Sequence, residues 1–383
     1  MRYQAFALAF LTALLADDAT AQEARFRDSA GVRIIENPAR KDAPVRFRLG
    51  DKPLMEVGGR ESNRNEEFEH NQGYLRGVRL SDGGLAVIDV SRVHYFDPNG
   101  RRIRIVGRGQ GPQEFQYLTS ICRTRGDTVI VSDQGMISFL DGRGEIFLKV
   151  PRGDIGFAPF SFCLGDGTFV LEQSGSDVGA PEHRVTRLRT DGSIVNVIAT
   201  FPRPVFDMVT GVVPAVATSD DGLYYVDPFT GEIREYAPLG ALRRIVRTAD
   251  KGDSITREEA EERMARTIPR NVTAAEHKAR MDRMRSQPYA QNWPVLVRLE
   301  VGTDGTIWVQ DFRKTFEAPD AWTAIDSTGR IVGRLVFPAV PEGARGPNVL
   351  SFGSDYVMLR RFDADRASSI AIYPLVKLEG RSR

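Results

Sequence analysis

The fold is decided by one stretch: Gly77-Val78-Arg79-Leu80-Ser81-Asp82-Gly83-Gly84-Leu85-Ala86-Val87-Ile88-Asp89-Val90-Ser91-Arg92-Val93-His94-Tyr95-Phe96-Asp97-Pro98-Asn99-Gly100-Arg101-Arg102-Ile103-Arg104-Ile105-Val106. It contains four short β-branched runs separated by turn residues. Asp82-Gly83-Gly84 and Asp97-Pro98-Asn99-Gly100 are hairpin turns, because Gly and Asn tolerate the backbone that such turns need. Working outward, the same phrase returns after Gly126-Asp127, Gly165-Asp166-Gly167, Asp220-Asp221-Gly222, Asp304-Gly305 and Gly353-Ser354-Asp355. A repeat of roughly 40–50 residues built from short strands is the mark of a propeller with four-stranded blades. The predicted fold is therefore all-β: a six-bladed β-propeller of four-stranded antiparallel blades over residues 45–378. The last repeat lacks a strand at its C-terminal end, and spare strands stand at 45–49 and 54–57. An N-terminal strand is expected to complete the last blade and close the ring, removing exposed edges.

Upstream, Arg2 precedes the apolar run from Ala5 to Ala16, and Ala19-Thr20-Ala21 fits a cleavage pattern before Gln22. This reads as a signal peptide over 1–21, too short to remain as a membrane span of roughly 20 residues. A linker is expected over 22–44 and a short tail over 379–383. An exported chain, periplasmic or extracellular, follows. The chain carries 52 Lys+Arg against 51 Asp+Glu, net +1, and loss of Arg2, Asp17 and Asp18 leaves the mature form at +2. No basic footprint for nucleic acid is present. A monomer with no membrane span is expected.

One segment interrupts the repeats. Thr256 and Glu259 form a capping box ahead of a helix, and 271–284 reads as a second helix beyond Pro269, ended by Pro288. A helical insertion over about 254–290, between blades 4 and 5, is predicted. It is either a lid or partner arm over one mouth of the channel, or a solvated cover for a blade edge.

The cluster Gly107-Arg108-Gly109-Gln110-Gly111-Pro112-Gln113-Glu114-Phe115 leads into a strand rather than a helix, and Pro112 lacks an amide. It is therefore a blade-to-blade crossover, with Phe115 as an apolar plug, and not a phosphate loop. With Tyr95-Phe96-Asp97-Pro98-Asn99-Gly100 before it, this crossover resembles the G-x-G-x-G-P-x-E-F element of exported bacterial six-bladed propellers, similar to the NHL-repeat and TolB-like proteins. The resemblance covers about 45–378 and implies fold only; it transfers no catalytic residue.

Registering the repeats on their turns places Arg76, Ser120, Phe160, Ala215, Arg298 and Asn348 at one position on the innermost strands. Arg76, Arg298, Ser120 and Asn348 are the candidate binding residues at the channel mouth, where arginines suit a carboxylate, phosphate or acidic peptide. The competing reading pairs the arginines with acids such as Glu300. Asp89, Asp133, Glu172, Asp227 and Asp311 each end a second strand and read as turn acceptors, although a ring of carboxylates is also what a calcium site uses. The histidines are scattered: His70, His94, His183 and His277. Cys122 and Cys163 sit one residue out of register on neighbouring inner strands, so two buried free thiols are expected ahead of a bridge. The function expected is a binding propeller for a peptide, glycan or protein partner, non-enzymatic and without a resident cofactor. The alternative is a metal-dependent, lactonase-like hydrolase or lyase.

Overall fold

Turn-bounded runs of Val, Ile, Leu and aromatic residues fold here as meandering antiparallel units. The computed structural model describes residues 24–59, 68, 75–107, 111, 114–133, 135–151, 160–174, 182–202, 209–269, 271–286, 289–315, 318–339, 346–362 and 367–379. The expected signal segment, 1–21, lies outside them.

Four strands come first: β1 (Arg25–Ser29), β2 (Val32–Asn37), β3 (Val45–Leu49) and β4 (Met55–Gly58). A first meander follows: β5 (Arg76–Arg79), β6 (Leu85–Asp89), β7 (Arg92–Phe96) and β8 (Arg102–Val106). A second holds β9 (Ser120–Arg123), β10 (Val129–Ser132), β11 (Met136–Leu140) and β12 (Ile146–Pro151). A third holds β13 (Phe160–Cys163), β14 (Phe169–Ser174), β15 (Glu182–Leu188) and β16 (Ile194–Pro202). Next come β17 (Ala215–Ser219), β18 (Gly222–Val226), β19 (Ile233–Tyr236) and β20 (Leu242–Thr248). After two helices the chain forms β21 (Leu296–Val301), β22 (Ile307–Asp311), β23 (Ala321–Ile325) and β24 (Ile331–Val336). It ends with β25 (Asn348–Phe352), β26 (Tyr356–Phe362) and β27 (Ser368–Lys377).

Strands β5, β9, β13, β17, β21 and β25 touch in that order, and β25 returns to β5. The units thus stand face to face around an axis, as the blades of a β-propeller do. Buried apolar clusters fill the seams between neighbours. Val93, Tyr95 and Phe115 meet Val129, Val131 and Leu140 between the first two units. Trp308, Trp322 and Leu335 meet Val349, Phe352 and Val357 between the last two. Phe115 is the plug expected of the crossover; its amide donates to the Gly107 carbonyl at 3.2 Å, and the Gly111 amide donates to the Glu114 carboxylate at 2.8 Å.

Closure runs through the N-terminus. β4 pairs antiparallel with β27 and stands as the missing fourth strand. The other candidate, β3, instead lies parallel to β24 and antiparallel to the tail of β27, bridging two units. The expected linker over 22–44 is corrected: β2 pairs parallel with β20, β1 covers β2, and a 3₁₀ turn spans Arg40–Asp42. Only Ile34, Ile35 and Asn37 of β2 are buried, too short a pattern to stand out without turn signals around it.

The two helices between β20 and β21 are α1 (Arg257–Thr267) and α2 (Ala274–Arg285). The expected capping box at Thr256 and Glu259 forms, and α2 carries its own at Thr273 and Glu276. Met264, Met281 and Met284 pack with Ala260, Val209 and Trp293, so the pair is seated on the loops at one end of the ring.

Cys122 and Cys163 form a disulfide with Cα atoms 5.5 Å apart, which overturns the expectation of free thiols. The one-residue offset is real: Cys122 pairs with Ile130, whereas Cys163 pairs with Phe169 at the strand end. Opposite faces of aligned strands are what a bridge needs here, because neighbouring units stack with one unit's front on the next one's back. Phe139 and Phe169, 5.7 Å apart, mark the same seam. The bridge closes a separation of 41 residues, for which the chain-entropy model gives about 4 kcal/mol. Reduction is therefore expected to lower unfolding stability by roughly 2–5 kcal/mol, read as a shifted denaturation midpoint with and without dithiothreitol. An unchanged midpoint would contradict this.

Candidate functional site

The innermost strands enclose a channel because their short, turn-limited runs bring small and charged residues to the axis. Two cavities of about 750 and 560 Å³ occupy its ends. They meet at a waist formed by Arg76, Phe162, Arg298, Glu300 and Leu350. Arg76 and Arg298 line both cavities, Ser120 the larger and Asn348 the smaller, so all four candidate residues lie on the channel wall. In the ladders Arg76, Ser120 and Arg298 pair with Ile88, Ser132 and Gln310, each the residue before a strand-end aspartate, whereas Phe160 pairs with the strand-end Glu172 itself, one residue out of that register. Arg298 keeps that place through an irregularity between Leu296 and Arg298.

The waist is built around an ion pair. Arg298 Nη2 meets the Glu300 carboxylate at 2.6 Å and Nε at 2.9 Å, while Nη1 donates to Asn348 Oδ1 at 2.9 Å. The pairing with Glu300 foreseen as the competing reading therefore exists, within the channel wall. Glu300 keeps 22 % of its side chain toward the channel and is walled by protein elsewhere. Burial pushes its carboxyl upward, and Arg298 and Arg76 pull it back. Burial, then the Arg298 charge, lowers the Arg76 guanidinium from its ordinary value. The waist is thus a polar, partly dry constriction in which Glu300 pairs with Arg298 and feels the charge of Arg76.

The two mouths differ. At the larger cavity, where the hairpin turns lie, three of the lining arginines meet acids: Arg123 with Asp127 at 2.7 Å, Arg125 with Asp220 at 2.7 Å, and Arg244 with Glu235 at 2.7 Å, while Arg243 donates to the Asp221 carbonyl at 3.0 Å. Arg79 lies over the Tyr356 ring at 4.6 Å. At the smaller cavity, beside the helices, Arg263, Arg313 and Arg360 join the lining. Arg263 comes from α1 and sits over Phe312 at 5.4 Å and Trp293 at 5.9 Å. These three were invisible in the repeats because they come from a helix, a loop and a second strand.

The strand-end carboxylates do not converge. Asp227 accepts the Phe229 amide in the following turn at 2.9 Å, as expected. Asp133 instead holds the incoming crossover through the Gln116 and Tyr117 amides, both at 2.9 Å. Glu172 meets His183 Nε2 at 3.0 Å, and Asp311 meets Arg334 at 2.6 Å and Arg40 at 3.3 Å. Among the described residues, no group of three or more His, Cys, Asp or Glu is placed to hold a metal ion. His70 lies outside the described residues.

His94 is a core residue, 1 % exposed, edge-on to Phe68 at 5.3 Å with Asp89 at 3.9 Å. Burial, helped by Arg102 and Arg92, pulls its pKa down from 6.5 to about 3. The unfolded chain therefore binds a proton between those values that the folded chain refuses. The site's contribution is full above the unfolded value and is lost as pH falls. From pH 7 to 4.5 it costs about 2–3 kcal/mol. The His94→Gln variant is expected to show a correspondingly shallower acid decline in denaturant titrations. Equal slopes would contradict it.

No protein-family model matches the sequence, and no curated protein resembles it closely enough to count as a relative. Solved structures share the fold. A Bacteroides fragilis protein named for its expected export superposes with a TM-score of 0.54 at 11 % identity, over 90 % of this chain and 100 % of that one. A DUF4221 family member from Bacteroides vulgatus gives 0.52 at 9 % identity, over 87 % and 99 %. A gluconolactonase of Xanthomonas campestris aligns over 93 % and 96 % at 14 % identity, with a TM-score of 0.41 that is too low to argue from. The likeness is one of architecture. No helix among the described residues is long and apolar enough to cross a membrane.

Proposed function

We propose that this chain is an exported, six-bladed β-propeller of NHL/TolB-like build that acts as a monomeric binding module in the periplasm or outside the cell. Its partner is a peptide, glycan or protein that seats at the channel, against Arg76, Arg298, Ser120 and Asn348, with the helical insertion as an arm beside one mouth. The observation that carries this reading is the waist, where Arg76, Arg298 and Glu300 line both cavities and Arg298 pairs with Glu300 at 2.6 Å. Guanidinium groups held in place and partly dried bind carboxylate-bearing partners strongly and with fixed geometry. No resident cofactor is invoked.

The test is capture from an envelope fraction on immobilised mature protein. Wild type retains a partner, and Arg76→Ala and Arg298→Ala each lose at least about tenfold in retention, as truncation of a buried charged contact does. Equal retention by both variants would defeat the reading. The metal-dependent hydrolase remains the rival, and metal analysis after dialysis separates the two. A stoichiometric ion, with a melting point raised by calcium, would favour the rival.

A further inference from the structure

Arg298 is held from two sides, and the two holds are unequal. Its Nη1 donates to Asn348 Oδ1 at 2.9 Å and to the Val349 carbonyl at 2.5 Å, both on β25. Its Nε and Nη2 both donate to a single oxygen of Glu300, Oε1, at 2.9 and 2.6 Å. A guanidinium fork fits a carboxylate best through two parallel bonds to two oxygens. Glu300 stands two residues along the same strand, on the same face, and offers only one. Among the described residues, Arg298 alone donates to the Glu300 side chain. The guanidinium is therefore anchored by the neighbouring strand, whereas Glu300 is held only by the guanidinium.

Both side chains open on the channel, Arg298 with 27 % of its surface and Glu300 with 22 %. The surrounding strands bring few other charges to Glu300. β17 (Ala215–Ser219) and β25 (Asn348–Phe352) carry none, and β22 carries only Asp311 at its far end, taken by Arg334 and Arg40. On β5, Arg76 acts on Glu300 by charge. An incoming carboxylate can thus gain the two-oxygen fit on Arg298 only by moving Glu300 aside.

We propose that Glu300 is an internal stand-in for a partner's carboxylate: it occupies Arg298 in the free protein, is displaced when the partner seats in the waist, and takes up one proton from solvent as it leaves. The proposal rests on the channel-binding reading and names how that site is regulated. A carboxylate walled by protein and deprived of its guanidinium is costly to keep charged, so it neutralises. Burial already pushes the Glu300 carboxyl upward, and Arg298 is the first charge that holds it down. In the free protein the paired Glu300 is ionised; in the complex it carries a proton. Affinity therefore rises as pH falls, by up to about tenfold per unit, and levels off once Glu300 of the free protein is protonated as well.

The experiment is titration calorimetry of the mature protein with benzoate, a single carboxylate on a compact body, in two buffers of different ionisation enthalpy. Wild type is expected to take up close to one proton per benzoate bound, and to bind at least about tenfold more tightly at about pH 6 than at about pH 8. Glu300→Gln cannot ionise. It is expected to bind benzoate at least about tenfold more tightly than wild type at the higher pH, with no proton uptake and no pH dependence. Arg298→Ala is expected to lose benzoate. The wild-type proton count needs no variant, so misfolding of Glu300→Gln would not shield the proposal. Benzoate binding by wild type without proton uptake, or weaker binding by a folded Glu300→Gln, would overturn it. So would the absence of benzoate binding by both proteins. In each of those cases, loss of the envelope partner by Arg298→Ala would leave the channel-binding reading standing.

Discussion

Arg40→Met is expected to destabilise the protein by about 3–5 kcal/mol, the loss that follows when one partner of a buried ion pair is removed. Arg40 is 2 % exposed and reaches three positions far along the chain. Its Nε lies 3.5 Å from Asp250 and 3.3 Å from Asp311, and its Nη2 donates to the Val295 carbonyl at 2.5 Å. Its own amide donates to Asp250 at 3.1 Å. The N-terminal strap is thereby fastened to the units on both sides of the helical insertion. Without the Arg40 side chain, Asp311 keeps Arg334 and Asp250 loses its guanidinium partner. Burial already pushes the Asp311 carboxyl upward, and Arg40 is the first charge holding it down. The midpoint of urea unfolding measures the loss. In a double-mutant cycle, Arg40→Met is expected to cost markedly less in an Asp311→Asn background. A cost below about 1 kcal/mol would place the pair among surface bridges and refute the strap's role.

Trp308→Ala is expected to be comparably severe, about 3–5 kcal/mol, because the indole fills the last seam before closure. Trp308 is buried, stacked on Phe352 at 4.2 Å and edge-on to Phe47 at 5.0 Å. Phe47 belongs to β3, so the cavity would loosen both the seam and the strand that bridges it. Among the described residues its Nε1 has no hydrogen-bond partner. Trp308→Phe, which retains a stacked ring and removes that buried donor, is expected to cost well under half as much. Calorimetric or denaturant unfolding of both variants decides this. Equal losses would mean that ring stacking contributes little.

The repeats were readable because turn residues and alternating apolar runs are local. Asp82-Gly83-Gly84 and Asp97-Pro98-Asn99-Gly100 name their own hairpins, and Arg76, Ser120, Arg298 and Asn348 line the channel, although the turn register slips by one residue at Phe160. What escaped depends on relations between units. The disulfide was misjudged because facing within one strand was applied to two sheets stacked front to back. β2 was overlooked because parallel pairing with β20 needs only a few apolar residues and no turn signal. The helix-side arginines share no repeat position, so only the folded chain brings Arg263, Arg313 and Arg360 to one opening. The capping box at Thr273 and Glu276 is as local a signal as the one at Thr256 and Glu259.

Hydrogen exchange of the mature protein, with and without the partner eluted from the immobilised protein, tests the channel directly. The account predicts new protection at β5, β21 and β25, whose residues include Arg76, Arg298 and Asn348, and at α1. Protection confined to the outer strands β8, β12 and β16, with the inner strands unchanged, would contradict it.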